Sequence, residues 1–369
     1  MSNEVSLNRS SEKIEVNGAF LKVSQQLHSA LEGKTLDETI DYLVRRVKGK
    51  YLFSKRIKTV CLSIGMMNSA IDRGEAEEMV KISEALQVRG IELIGDAIAA
   101  RPKVKTVLIA GPSSSGKTTF SKKLSMALEA HGHSVQCLSF DDYYVDRELT
   151  PRDETGEYDY ESLYAINISL FQQHLRQLMD GEEVVLPRYD FPTGKSVSSG
   201  RRMRLKTGDI LIMEGIHGLN PLLTGDIPPD SLFRIYISGL TVAKNDDGSY
   251  YPTTDNRLIR RMVRDAQFRN TSASSTLARW LSVRRGEEKW VIPFQQNADV
   301  NFSTAFQYEL ALLKQKALPL LEEVPDDDPN YEEAQRLKWV CQHFHDIPVS
   351  LLPPYSLLRE FLGGSAFEY

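Results

Sequence analysis

The segment Gly111-Pro112-Ser113-Ser114-Ser115-Gly116-Lys117-Thr118 leaves few folds open to this chain. It is entered from the apolar run Val104 to Ala110 and leaves into Thr119-Phe120, where Phe120, Leu124, Ala127 and Leu128 recur at helical spacing. The pattern G-x-x-x-x-G-K-[ST] between a strand and a helix turns successive backbone N–H groups into one concavity, backed by the positive end of the helix. Such a concavity cradles phosphates. Lys117 can reach β- and γ-phosphate oxygens, and the Thr118 hydroxyl can ligand the Mg2+ that bridges them. Gly111 to Thr119 is therefore read as a binding loop for a nucleoside triphosphate.

Strands and helices alternate from Val104 onward. Val104 to Ala110, Ser134 to Ser139, Ile210 to Met213 and Phe233 to Ile237 are short, apolar and bounded by Gly, Asp or Ser, as buried strands are. Helical stretches lie at Lys117 to His131 and Ile168 to Asp180. The expected fold class is α/β, a parallel sheet flanked by helices, with ligands at the carboxyl ends of its strands. The tail reads as helices near Thr304 to Leu321, Tyr331 to His345 and Ser356 to Leu362. Residues 1–100 read as a small N-terminal, α-rich unit: Thr35 caps a helix carrying Leu36, Ile40, Leu43, Val44 and Val47, Arg56 to Ser63 suits a strand, and Glu75 to Ala100 suits a long helix. Residues 101–369 then form the main domain with a helical C-terminal extension.

Forty-five Lys plus Arg against 50 Asp plus Glu leave a net charge of -5, so no global basic field recommends nucleic acid as a partner. Three dispersed cysteines, Cys61, Cys137 and Cys341, suit neither a disulfide framework nor a zinc site. The N-terminus lacks a signal-peptide pattern and no apolar run approaches membrane-spanning length, which together point to a cytoplasmic protein without membrane contact. Nothing in the sequence decides between a monomer and a homo-oligomer.

Three further segments carry chemistry. Asp141 follows the second strand, where a carboxylate beside the phosphate loop can accept the proton of an attacking hydroxyl; an Asp-Asp turn or a helix cap would use the same residues. Glu214 ends the strand Ile210 to Met213 and is the candidate carboxylate on the Mg2+ side, with a solvated strand end as the plainer alternative. Arg257, Arg260, Arg261 and Arg264 recur at spacings of three, four and seven, on or near one helix face, where guanidinium groups can close over a transferring phosphoryl group. A solvated basic face would show the same spacing. His217, His343 and His345 read as loop, structural or surface histidines.

With these residues in hand, the chain resembles the phosphoribulokinase/uridine kinase family of P-loop kinases over residues 104–369. Six ordered segments carry the likeness: Gly111 to Thr119, Phe140-Asp141-Asp142-Tyr143-Tyr144, Tyr158-Asp159, Pro187-Arg188-Tyr189-Asp190-Phe191, Met213 to Asn220 and Asp255 to Arg261. Within the family it is similar to uridine-kinase-like nucleoside kinases that also carry Ser282 to Lys289, Pro293 to Asp299 and the C-terminal Leu357 to Gly364. The resemblance implies a P-loop NTPase core using ATP and Mg2+, with Asp141 as general base and Lys117, Arg261 and Arg264 beside the transferring group. It also implies Tyr144, Asp159, Tyr189, Arg257 and Arg260 against the acceptor and Asp299 near the adenine. Gly194 and Ser196 stand where pyrimidine kinases have the histidine and arginine that read the base, so base recognition does not carry over. Longer relatives carry an accessory region similar to that of threonyl-tRNA synthetases; residues 1–100 are too short for it and hold one histidine, His28.

The expectation is an ATP- and Mg2+-dependent kinase of a small-molecule acceptor, with the 5′-hydroxyl of a nucleoside placed first. A sugar phosphate or other polyol is the nearest alternative, favoured by Lys195, Arg201, Arg202 and Arg204 close to Gly194. A nucleotide-binding regulator without kinase activity is the alternative of another class, and a regulator has no use for a base at Asp141.

Overall fold

The computed structural model describes residues 12–16, 19–23, 63–225, 227–239 and 252–368. The expected helix after Thr35, and all of the Arg56 to Ser63 strand except Ser63, lie outside these residues.

Strands β1 (Glu12–Val16) and β2 (Ala19–Val23) precede helices α1 (Ile64–Asp72) and α2 (Ala76–Ala99). Then come β3 (Thr106–Ala110), α3 (Lys117–Ala130), β4 (Val135–Ser139), α4 (Ile168–Met179), β5 (Val184–Asp190), β6 (Lys195–Met203), β7 (Ile210–Glu214), the single turn α5 (Pro221–Thr224) and β8 (Leu232–Ser238). The chain continues through α6 (Thr253–Arg269), α7 (Ala273–Trp290), β9 (Val300–Ser303), α8 (Glu309–Glu322), α9 (Tyr331–Gln342) and the one-turn α10 (Arg359–Leu362).

Seven strands form one sheet in the order β1-β2-β9-β8-β3-β7-β4. The five from β9 to β4 are mutually parallel, whereas β2 runs antiparallel to β9 and β1 to β2. The strand order jumps on either side of β3, so the crevice at its carboxyl end opens at the switch point where α/β sheets bind ligands. β3 contributes alternate residues to two cores, as strand geometry requires. Val107 and Ile109 join Phe120, Leu124 and Leu128 of α3, while Leu108 faces Phe171, Leu175 and Leu178 of α4.

Met79, Val80, Ile91, Ile94 and Ile98 of α2 belong to the same core as Val107 and Phe120. Gly90 lets α2 lie close to the sheet, since a Cβ there would come within 2.8 Å of the Phe302 ring. Among the described residues no helix is long and apolar enough to cross a membrane.

Two departures from expectation have local causes. The antiparallel hairpin β5–β6 escapes pattern reading because Pro187 sits inside one strand, at a bulge, and the other exposes nearly every residue. The helix expected from Thr304 begins only at Glu309, because Thr304 is engaged by its side chain, which donates to the Ser115 carbonyl at 2.6 Å and accepts from Arg260 at 3.1 Å.

Candidate active site

The phosphate loop is shaped by what surrounds its outer side. Gly111 passes β8 so closely that a Cβ would lie 2.0 Å from the Ile237 carbonyl oxygen, and Gly116 takes φ +80°, a conformation that favours glycine. The loop's carbonyls point outward and are taken up by other elements. Arg257 Nε donates to Ser113 O at 3.0 Å, Arg260 Nη1 to Ser114 O at 3.4 Å and Thr304 Oγ1 to Ser115 O at 2.6 Å. With these carbonyls occupied outside, the loop can turn inward to an anion the amides that, unlike those of Ser113 and Ser115, have no protein acceptor.

This geometry corrects the expectation for two arginines. Arg260 is fully buried, with Nε and Nη2 on Glu309 at 2.7 and 2.6 Å and its guanidinium over Phe361. Arg257 is buried against Glu287, which also accepts the Ser113 N–H at 2.8 Å. Neither faces an acceptor in this structure; both brace the loop from behind. Asp299 is likewise engaged elsewhere, on Arg101 at 3.0 Å and on the Arg234 N–H at 2.8 Å.

The remaining predicted groups converge on the loop's open side. Thr118 Oγ1 donates to Glu214 Oε1 at 3.2 Å, and Lys117 Nζ donates to the Pro112 carbonyl at 3.1 Å. Asp141 lies in the single turn Phe140–Tyr143 that follows β4, its N–H held by Ser139 Oγ at 3.2 Å. Asp141 reaches solvent, and the protein crowded around its carboxylate raises its pKa against the opposing pull of Lys117, Arg269 and Arg264. Burial, then the Asp141 charge, pushes Glu214 up to about 7, with Lys117 opposing. These mutual effects place Asp141, Lys117, Thr118 and Glu214 in one site.

Sequence reasoning missed a third carboxylate there. Glu161 is held up at about 7 by burial, with Arg261, Glu287, Lys117 and Asp141 as its charged neighbours. A Cβ at Gly286 of α7 would lie 2.3 Å from the Glu161 Cβ, so a glycine opposite is what admits this side chain. The only signal in the sequence is its place two residues after Asp159, whose Oδ1 accepts the Glu161 N–H at 3.1 Å.

Arg261 donates to Ser113 Oγ at 2.7 Å, and Arg261, Arg264 and Arg269 all pair with Asp265. Next to Asp141 an aromatic wall opens: the Tyr144 and Tyr189 rings lie 5.4 Å apart and Tyr189 and Phe191 5.0 Å apart. Asp159 has its N–H bonded to the Pro151 carbonyl at 2.8 Å. Gly194, at φ +70°, closes the β5–β6 turn against Arg147; a Cβ there would lie 2.6 Å from the Arg147 guanidinium carbon. Arg147 in turn donates to the Phe191 carbonyl at 2.6 Å.

Residues 106–223 match the family model described as phosphoribulokinase / uridine kinase family. The uridine kinases of Staphylococcus aureus strains JH9 and Newman are each 31% identical to the chain over 200 residues, covering 54% of this chain and 87% of theirs. The chain belongs to the phosphoribulokinase/uridine kinase family. A solved structure titled a possible uridine kinase from Bacillus stearothermophilus is 24% identical, covering 58% of this chain and 97% of its own, with a TM-score of 0.37. A putative fructose transport system kinase from Silicibacter sp. TM1040 is 19% identical over 55% of this chain and 95% of its own, with a TM-score of 0.41.

The resemblance implies Mg2+, and the oxygen donors at the end of the phosphate loop fit such an ion. Thr118 and Glu214 set two hard oxygen donors 3.2 Å apart at the end of the phosphate loop. Among the described residues no three His, Cys, Asp or Glu side chains gather as a metal cage. One hydroxyl and one carboxylate suit an ion that takes its other ligands from water and phosphates.

Proposed function

We propose that this chain is an ATP- and Mg2+-dependent kinase that phosphorylates a hydroxyl of a small metabolite, the 5′-hydroxyl of a nucleoside being the first assignment. The observation that carries the reading is the meeting of Asp141 with Lys117, Thr118 and Glu214 at the carboxyl end of the sheet. A loop that only bound nucleotide would need no general base at Asp141 beside its lysine.

In this reading Asp141 accepts the proton of the attacking hydroxyl as the new O–P bond forms and the bond from the γ-phosphorus to its bridging oxygen breaks, leaving ADP. Lys117 and the loop amides hold the phosphates, while Arg261 and Arg264 balance charge on the transferring group. Bound Mg2+ would supply charge neutralisation on the phosphate oxygens, held by Thr118 and Glu214. Tyr144 and Tyr189 offer an aromatic face to a base or a sugar, and Asp159 takes the ribose hydroxyls, the role that the family resemblance implies for it.

The observation at Gly194 favours a second acceptor class. Arg147 occupies the space a side chain at position 194 would take, and its guanidinium bonds the Phe191 carbonyl and the Tyr189 side chain, with no ion pair to a carboxylate among the described residues. An acceptor bearing a phosphate or carboxylate would pair with it. The deciding experiment incubates the purified protein with Mg-ATP and a panel of nucleosides, sugar phosphates and hydroxy acids, and detects phosphorylated product by mass. A nucleoside product supports the first assignment, and an anionic product the second. ATP binding without any product would refute both and favour a nucleotide-responsive regulator.

A further inference from the structure

The C-terminal segment reaches the phosphate loop, and none of the roles described above uses it. Leu357 is buried beneath Gly116, where a Cβ would come within 2.6 Å of it, and Phe361 is buried beneath the Arg260 guanidinium. Between these anchors Glu360 enters the start of α3. Its Oε2 accepts from Thr119 N at 3.1 Å and from Thr119 Oγ1 at 2.6 Å. Thr119 is the third residue of that helix, and the first four N–H groups of any helix have no partner within it. Behind a phosphate loop, these are donors that the helix offers to a nucleotide.

We infer that Glu360 is an internal occupant of the phosphate site, a carboxylate that a nucleotide must displace from Thr119 before its own phosphate can take those donors. The inference rests on the reading of Gly111 to Thr119 as a nucleotide site. Glu360 also adds to the negative charge that acts on Glu214, beside Thr118. A polyphosphate brought in with Glu360 still in place meets like charge and one occupied donor pair. Leu357 and Phe361 keep the segment anchored, so rotation of the Glu360 side chain alone clears the site. The segment is also tied to the N-terminal helix α2, because Ser356 hydrogen-bonds the buried Glu84. Contacts made by α2 can therefore reach the occupant.

While Glu360 sits on Thr119, nucleotide affinity is lowered by the fraction of molecules whose site is open. Replacing the carboxylate with an amide of the same shape, E360Q, exchanges a charged acceptor for a neutral one. The test is equilibrium binding of a non-hydrolysable ATP analogue with Mg2+ to wild type, E360Q and E360A, each checked for folding by circular dichroism. The expected result is about tenfold tighter binding by E360Q, the equivalent of about 1.4 kcal/mol. Equal or weaker binding by folded E360Q overturns the inference, since a residue that merely props the loop would lose affinity when altered. Should E360A fail to fold, E360Q decides. A second measurement uses wild type: the side-chain carboxyl 13C resonance of Glu360, assigned by its loss in E360Q, shifts on saturation with the analogue, and an unmoved resonance overturns the displacement. If wild type binds no analogue, the nucleotide reading itself fails and the inference with it, an outcome distinct from binding that E360Q leaves unchanged.

Discussion

Arg260→Met separates a brace behind the phosphate loop from a group that faces substrate. The Arg260 side chain is 0% exposed and Glu309 1%, and they meet through two hydrogen bonds of 2.7 and 2.6 Å. Removing the guanidinium leaves Glu309 buried, with the Phe306 N–H at 2.7 Å as its remaining close donor. Breaking a buried pair in this way costs about 3–5 kcal/mol, because the surviving charge is uncompensated. The carbonyls of Ser114 and Thr304 also lose a donor, at about 1 kcal/mol each. A domain's whole stability is about 5–15 kcal/mol, so the urea midpoint of the ligand-free protein should fall steeply, read by circular dichroism. The double variant Arg260→Met/Glu309→Leu removes both charges and should recover most of the loss, remaining about 1–3 kcal/mol below wild type because the carbonyls stay unpaired. The cycle then gives a coupling energy for two groups in contact. If Arg260→Met stayed within about 1 kcal/mol of wild type while the acceptor KM rose tenfold, the arginine would face substrate after all and the bracing argument would be wrong.

Asp141→Asn should lower kcat by about 10²–10⁴ while the thermal shift produced by an ATP analogue stays as in wild type; turnover within tenfold of wild type would remove Asp141 as the base. Arg147→Met should raise KM for a phosphorylated or carboxylated acceptor and leave that for an uncharged nucleoside unchanged, and equal effects on both would deny it a part in selecting charge. Glu161 gives a pH test. Its folded-state pKa of about 7 lies above that of an exposed glutamate, so the folded chain holds the proton more tightly and stability is lost as pH rises toward 7. Melting temperature measured from pH 5 to 8 without ligand should therefore fall less in Glu161→Gln than in wild type, and parallel curves would contradict the assignment. Gly194→Ala meets both a positive φ and the Arg147 side chain, and should destabilise the protein by about 1–3 kcal/mol in urea unfolding.

The parallel sheet and the loop were legible because each rests on local chemistry: short, mainly apolar strands ending at Ala110, Ser139 and Glu214, and glycines where the loop must turn. Glu161, Glu287 and Glu360 were not legible. Each reaches the site from a segment distant in sequence, and each is placed by packing: Glu161 by the absence of a side chain at Gly286, Glu287 by the Arg257 pair, Glu360 by the burial of Leu357 and Phe361 on either side. Glu287 and Glu360 lie inside segments shared with uridine-kinase-like relatives and Glu161 follows Asp159, but none of these places in the chain says what the carboxylate will touch.

The arginines of α6 show where spacing stops being informative. Arg257, Arg261 and Arg264 fall at i, i+4 and i+7, which by helix geometry puts them along one stripe. Yet Arg257 ends on buried Glu287 while Arg261 and Arg264 share Asp265 at the margin of the site. The difference lies in what faces each turn of the helix. The first turns of α6 meet the outer side of the phosphate loop and α7, a closed surface with carbonyls to satisfy, and Arg257 and Arg260 serve it. One turn further Arg261 reaches the Ser113 hydroxyl of the loop, and Arg264 and Arg269 oppose the rise that burial imposes on the Asp141 pKa. A stripe of like charge is thus divided between holding the loop's backbone and setting the charge of the site. The divide falls between two adjacent residues, Arg260 and Arg261, which point about 100° apart around the helix axis. Among the described residues buried Asp265 keeps two guanidinium partners when one arginine of the second set is lost, whereas Glu287 and Glu309 each lose the one they have.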